Sequence, residues 1–167
     1  MARRGMKIRN LDHFIRAMGD LANDAKQDFT TFLEGEGFKL LDIVQDKIIG
    51  MEVVDTRRLL NSFDKGGNDN VWTIKNGGLT LEIGTNVEYA AAVNDGHRQK
   101  RRWVPGRWKG DKFIYDPNSD TGMMLTERFV PGKPYWDNAI ATFERIFPQD
   151  GQQWVDKWVQ IQQRRRF

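Results

Sequence analysis

The sequence predicts an α+β fold, an antiparallel β-sheet packed by long N-terminal helices and a C-terminal helix, with a β-ribbon as an insertion. Three observations predict it. Apolar residues recur at helical spacing from Leu11 through Phe14, Met18, Leu21, Ala25, Phe29 and Leu33, and again from Leu40 to Ile49. Two runs of alternating polarity, Val71–Lys75 and Leu79–Ile83, flank Asn76-Gly77-Gly78, which is a hairpin signal. Helical spacing then returns in Tyr135, Trp136, Ala139, Ile140, Phe143 and Ile146.

Taken in order, the chain opens with a basic arm over residues 1–9, carrying Arg3, Arg4, Lys7 and Arg9. Asn10 or Asp12 stands near the start of the first helix. Gly35 and Gly37 each cost about 1 kcal/mol relative to alanine in a helix interior, so the segment reads as two helices or as one kinked near Gly35. Asp55 or Thr56 can cap a short helix over Arg57–Phe63, whose apolar face is Leu59, Leu60 and Phe63. Lys65–Asn70 is a loop by composition. After the hairpin, Asn86 is placed to cap a small-residue helix over Tyr89–Val93, with Glu88 in the first turn. Asn94-Asp95-Gly96 ends that helix, and Gly96 can take a left-handed stop. Trp103–Trp108 and Lys112–Tyr115 form a second ribbon around Gly106 or Gly110, followed by a polar loop over Asp116–Gly122. Phe129–Pro134 reads as a rigid turn containing Pro131 and Gly132, with Pro134 at the first position of the last helix. Pro148 and Gly151 interrupt that helix, and Trp154–Ile161 forms a further amphipathic segment.

At 167 residues the chain reads as one domain, with the basic arm at 1–9, the ribbon insertion at 98–128 and a C-terminal extension with a basic tail at 148–167. It has no cysteine, which excludes a disulfide framework and thiolate metal sites. No apolar run approaches the ~20 residues needed to span a bilayer, so we expect a soluble protein made in a cytoplasm and not held by a membrane. Catalysis is not expected. His13 and His97 show no metal-ligand spacing, no carboxylate pair is set apart, and the glycine pairs lack a phosphate-loop lysine. Neither metal nor cofactor is expected.

The basic residues are clustered although the net charge is only +3. Arg98, Lys100, Arg101, Arg102, Arg107 and Lys109 fall in one stretch without an acid, which reads as solvated surface, or as contact with phosphates or an acidic partner face. Trp72, Trp136 and Trp154 sit in amphipathic patterns and read as core. Trp103 and Trp108 interleave with cations, which suits an arm anchored in a neighbouring subunit, a ribbon packed on the sheet with its cations snorkelling outwards, or a single-strand stacking platform.

Three motifs then carry a resemblance. Asp55-Thr56-x-x-Leu59-x-x-Ser62, Ile83-Gly84-Thr85-x-x-x-Tyr89-Ala90-x-x-Val93 and Val130-Pro131-Gly132-Lys133-Pro134-Tyr135 followed by a helix together resemble the tail-completion (neck) protein family of tailed bacteriophages and prophages, over about residues 10–147. Arg57 stands where that family has glycine, which argues against a positive φ there; Asn94 replaces a glutamate and His97 a threonine. The resemblance implies a non-enzymatic virion component at the head–tail junction. Several copies, commonly six, would form a homo-oligomeric ring between a head connector or adaptor and a tail terminator or tail tube, with double-stranded DNA passing through the lumen. A ring requires a heterologous interface, for which Tyr89, Ala90, Val93, Trp103, Trp108 and Tyr115 are the candidates, with Arg101, Arg102, Arg107 and Lys109 as the DNA-facing set. A sequence-independent nucleic-acid-binding module using residues 98–109 is the alternative.

Overall fold

The structure is a computed structural model that describes residues 22–53 and 57–165. The basic arm, the start of the first helical pattern, Asp55 and Thr56 lie outside the described residues. Helix α1 runs unbroken over Ala22–Gly50, so the glycines neither divide nor end it. Phe29, Leu33, Leu40, Leu41, Val44 and Ile48 bury one stripe of it. That burial outweighs the low propensity of two glycines, and Gly37 has a packing reason. A Cβ there would lie 2.5 Å from Leu81 Cδ2 and 2.7 Å from Trp72 Cη2, so the bare position is what lets the hairpin close on the helix. Gly35 faces open space.

After the short helix α2 (Arg58–Asn61), β1 (Asn70–Lys75) pairs antiparallel with β2 (Thr80–Thr85) from Asn70–Thr85 to Lys75–Thr80. The Asn76–Gly78 turn between them is tied to α1 by Thr30 Oγ1, which donates to the Gly78 carbonyl at 3.2 Å. Leu81 and Ile83 point into the core, as the alternation predicts. Helix α3 (Ala90–Asp95) follows, then β3 (Gly96–Gln99), β4 (Arg102–Lys109), β5 (Lys112–Tyr115), β6 (Gly122–Leu125), β7 (Arg128–Pro131) and helix α4 (Tyr135–Arg165).

The expected α+β class holds: β1-β2 is the antiparallel sheet between the helices, and the ribbon insertion comprises β3-β7 and β5-β4-β6. Two local expectations are corrected. Phe129–Pro131 belongs to a strand and not to a turn, because it pairs with Gly96–Arg98. Helix α4 is not interrupted at Pro148 and Gly151. Proline withdraws one hydrogen bond from the helix, but aromatic packing on α1 holds the axis on both sides of it. Phe147 meets Phe32 at 6.0 Å between centroids, and Trp154 meets Phe32 at 5.3 Å and Phe29 at 5.6 Å. Trp158 Nε1 donates to Asp28 at 2.9 Å. Each such ring pair is worth about 0.5–1.5 kcal/mol beyond its burial, enough together to offset a proline at about 3 kcal/mol.

Between α1 and α4, Lys39 Nζ bridges Glu36 at 2.7 Å and Asp150 at 2.9 Å. Both partners hold the lysine protonated, raising its pKa, whereas burial pushes the Glu36 carboxyl above its usual value despite the lysine. A raised folded-state pKa means that stability falls as pH rises from the unfolded carboxyl value through the folded one. Glu36→Gln keeps an acceptor for Lys39 and removes the buried charge. Its melting temperature should exceed the parent's at neutral pH, and the two should converge in acid. The glycines give a sharper test. Gly35→Ala should gain about 1 kcal/mol in urea unfolding. Gly37→Ala should lose about 1–2 kcal/mol, because overpacking against Leu81 and Trp72 exceeds the propensity gain.

Candidate assembly site

The described residues of the three sequence motifs meet at one junction. Ser62 Oγ donates to the Leu59 carbonyl at 2.7 Å and is bonded by Thr85 Oγ1 at 2.8 Å, joining the first motif to the second. Tyr135 OH donates to the Ala90 carbonyl at 3.3 Å, and the Lys133 backbone N–H donates to the Val93 carbonyl at 2.8 Å, joining the second to the third. Lys133 Nζ also bonds the carbonyls of Met51 and Glu52, just beyond the end of α1, where a cation suits the helix dipole. Arg58 pairs with Asp69 at 2.9 Å, which raises the guanidinium's pKa and lowers that of the carboxyl.

Local expectations fare unevenly here. Asn86 is exposed and does not cap α3; Thr85 Oγ1 instead accepts the Val87 N–H at 3.0 Å. Arg57 has φ 58°, so the positive φ that the arginine argued against is present all the same. Gly96 has the expected positive φ of 85° but an extended ψ of 171°, and so begins β3 directly instead of forming a left-handed stop. Pro134 immediately precedes α4, with its carbonyl accepting the Asn138 N–H at 3.1 Å. Gly96 and Gly132 allow two backbones to cross. A Cβ on Gly132 would sit 2.3 Å from the Asn94 carbonyl oxygen, and one on Gly96 would sit 2.6 Å from that of Val130.

Asn94 is the residue whose role sequence reasoning missed, because it registered only as part of a helix stop and as a departure from a family pattern. It is 3% exposed. Its Oδ1 accepts the Trp136 N–H at 3.0 Å, and its Nδ2 donates to Asp95 at 2.7 Å and to Asp137 at 2.9 Å. It therefore caps the first turn of α4 from across the junction.

From this junction an arm leaves and returns. Between Val93 and Tyr135 the chain adds no residue to the hydrophobic cluster. The pairings Gly96–Pro131, Gln99–Arg128, Arg102–Leu125 and Pro105–Gly122 keep one register, so β3-β4 and β6-β7 form a single antiparallel ribbon. It is roughly 30 Å long at about 3.4 Å per residue. Arg98 and Glu127 pair across its middle at 2.6 Å, and Gln99 Nε2 donates to the Thr126 carbonyl at 2.8 Å. At its tip, β5 folds onto the other edge of β4.

The arm gathers most of the candidate residues. Trp103 is 52% exposed, Trp108 60% and Tyr115 64%. Arg101, Arg102, Arg107 and Lys109 are exposed and, among the described residues, have no acidic partner. The two indoles are nevertheless on opposite faces. Directly opposed residues share a face, so Trp103 goes with Met124, Arg107, Ile114, Lys109 and Lys112, and Trp108 goes with Phe113 and Tyr115. Trp108 meets Phe113 edge-on at 5.4 Å, and Trp103 lies over Gly122. Of the remaining candidates, Ala90 is buried under Tyr135, Val93 is half-buried against the core, and Tyr89 is exposed on the turn before α3.

A family model described as "Bacteriophage HK97-gp10, putative tail-component" matches residues 12–96, ending at the first residue of the arm. Two proteins of Bacillus subtilis (strain 168) match almost end to end. "Uncharacterized protein YqbI" is 47% identical over 163 residues, and "Phage-like element PBSX protein XkdI" is 40% identical over 158; each alignment covers 92% of this chain and 98% of the relative. No solved structure gives a significant match. The chain belongs to the HK97-gp10-like family of phage tail components. No described helix is long and apolar enough to cross a membrane.

Asn94→Ala should cost about 1–2 kcal/mol for the lost cap, with a further penalty for the Trp136 N–H left buried without a partner. Hydrogen exchange should show the first turn of α4 losing protection before α1 does.

Proposed function

We propose that the protein is a non-enzymatic structural component of the virion neck. In this reading several copies, six by the resemblance, form a ring that completes the tail and joins it to the head connector, with DNA passing through the lumen. The observation that carries the reading is the arm. A ribbon outside the core, presenting Trp103, Trp108 and Tyr115 to solvent, has the composition of an interface anchor awaiting its partner. Membership of a tail-component family supports a virion role. The small helix α3 and Tyr89, at the base of the arm, complete the candidate contact.

Interfaces of about 1,000 Å² or less are weak singly and become effective when several act together, so the isolated chain is expected to be a monomer that closes into a ring on a template. Trp103→Ala with Trp108→Ala should leave the melting temperature nearly unchanged and abolish head–tail joining in a complementation extract. Normal joining by the folded double variant would remove the arm from the contact. Unfolding of the variant would make these rings part of the stable fold. Salt-sensitive DNA binding by the monomer, with joining unaffected by these substitutions, would favour the nucleic-acid module instead.

A further inference from the structure

We infer that the Trp103-bearing face of the arm docks on the outward stripe of α1 in a neighbouring copy of this chain; the inference rests on the proposed ring. That face carries Trp103, Ile114 and Met124, all exposed, interleaved with the cations Arg107, Lys109 and Lys112. Phosphates would satisfy the cations but leave three large apolar side chains uncovered. A protein surface with apolar and acidic side chains covers both.

The chain itself supplies such a surface. On α1, Ile49 is 56% exposed and Phe38 44%, the latter with its ring packed on Trp72 and under Lys65 Nζ, and the two lie about 16 Å apart along the helix at 1.5 Å per residue. Between them stand Asp42 and Asp46, both exposed and, among the described residues, without an ion-pair partner. Gly35 extends the stripe as bare backbone, with nothing within 4 Å of the position a methyl group would occupy. Charge is divided along the chain in the same sense. Residues 22–95 hold seven Lys and Arg against thirteen Asp and Glu, whereas residues 96–131 hold eight against four. The two patches are different surfaces of one chain, so their contact is heterologous and propagates from copy to copy, as a ring requires.

Charge reversal tests this. Asp42→Lys with Asp46→Lys, and separately Arg107→Glu with Lys109→Glu, alter only exposed side chains, and circular dichroism should show both proteins folded. Each should reduce ring formation and head–tail joining by about ten-fold or more, the scale of close interfacial charge pairs. The protein carrying all four substitutions should recover most of the loss, because the pair is restored with its signs exchanged. The absence of cysteine allows a direct check: particles built from copies carrying Ile49→Cys and Trp103→Cys should cross-link between copies. Undiminished ring formation by both reversed proteins would overturn the docking face while leaving the ring intact. Impaired DNA retention with normal rings in the Arg107/Lys109 variant would assign that face to phosphates and overturn the inference. Wild-type particles containing no ring would overturn the proposed function, and this inference with it.

Discussion

The arrangement depends on how the chain leaves its core at Val93 and re-enters it at Tyr135. The intervening residues add nothing to the hydrophobic cluster, so burial cannot fix the base of the arm and hydrogen bonds must. Asn94 meets that need because an amide carries both an acceptor and donors. Its oxygen takes an orphan N–H of α4, and its nitrogen binds two carboxylates, so a buried polar side chain is satisfied and its desolvation is repaid locally. Lys133 adds the link to the end of α1, and Tyr135 the link to α3. The ends of the arm are thereby held to both long helices.

Where periodicity and burial agreed, the fold was legible. The α1 stripe, the β1–β2 hairpin and the start of α4 all follow from apolar spacing: α1, β2 and α4 bury the faces their patterns mark, whereas Ile74 near the end of β1 stays exposed. Legibility failed where a tertiary contact overrode a local preference. Gly37 reads as a helix breaker until Leu81 and Trp72 are seen to occupy the space a side chain would take. Pro148 reads as a stop until the rings of Phe147 and Trp154 are found packed on Phe32 on either side of it. Phe129–Pro131 reads as a turn because proline and glycine dominate its composition, yet its pairing partner lies more than thirty residues earlier, beyond any local window. The candidate site was legible as a list of residues but not as a geometry. Only the register shows that Trp103 and Trp108 look in opposite directions.

That register changes what the arm can be. A two-stranded ribbon is marginal by itself, and this one recovers stability through a third strand at its tip and through aromatic rings laid over glycines. Those contacts explain why Trp103 and Phe113 sit where they do, but not why more than half of Trp108 and Tyr115 remains in water. A single flat partner would bury one face and leave the other wet. An arm apolar on both faces suits insertion between two surfaces.

Exposed aromatic ribbons carry a hazard, since two of them can pair with each other and close a symmetric dimer. The cations oppose this. Arg107 and Lys109 on β4 stand with Lys112 on β5 on the Trp103 face, so arm-to-arm contact through that face would bring like charges together in a partly dry interface. An arm meeting the Asp42–Asp46 stripe of another copy encounters the opposite sign. Like-charge repulsion thus penalises the symmetric contact while attraction favours the asymmetric one. The same side chains that would strengthen the docked state then also oppose symmetric pairing through that face, so Trp103 can stay exposed without drawing two arms together.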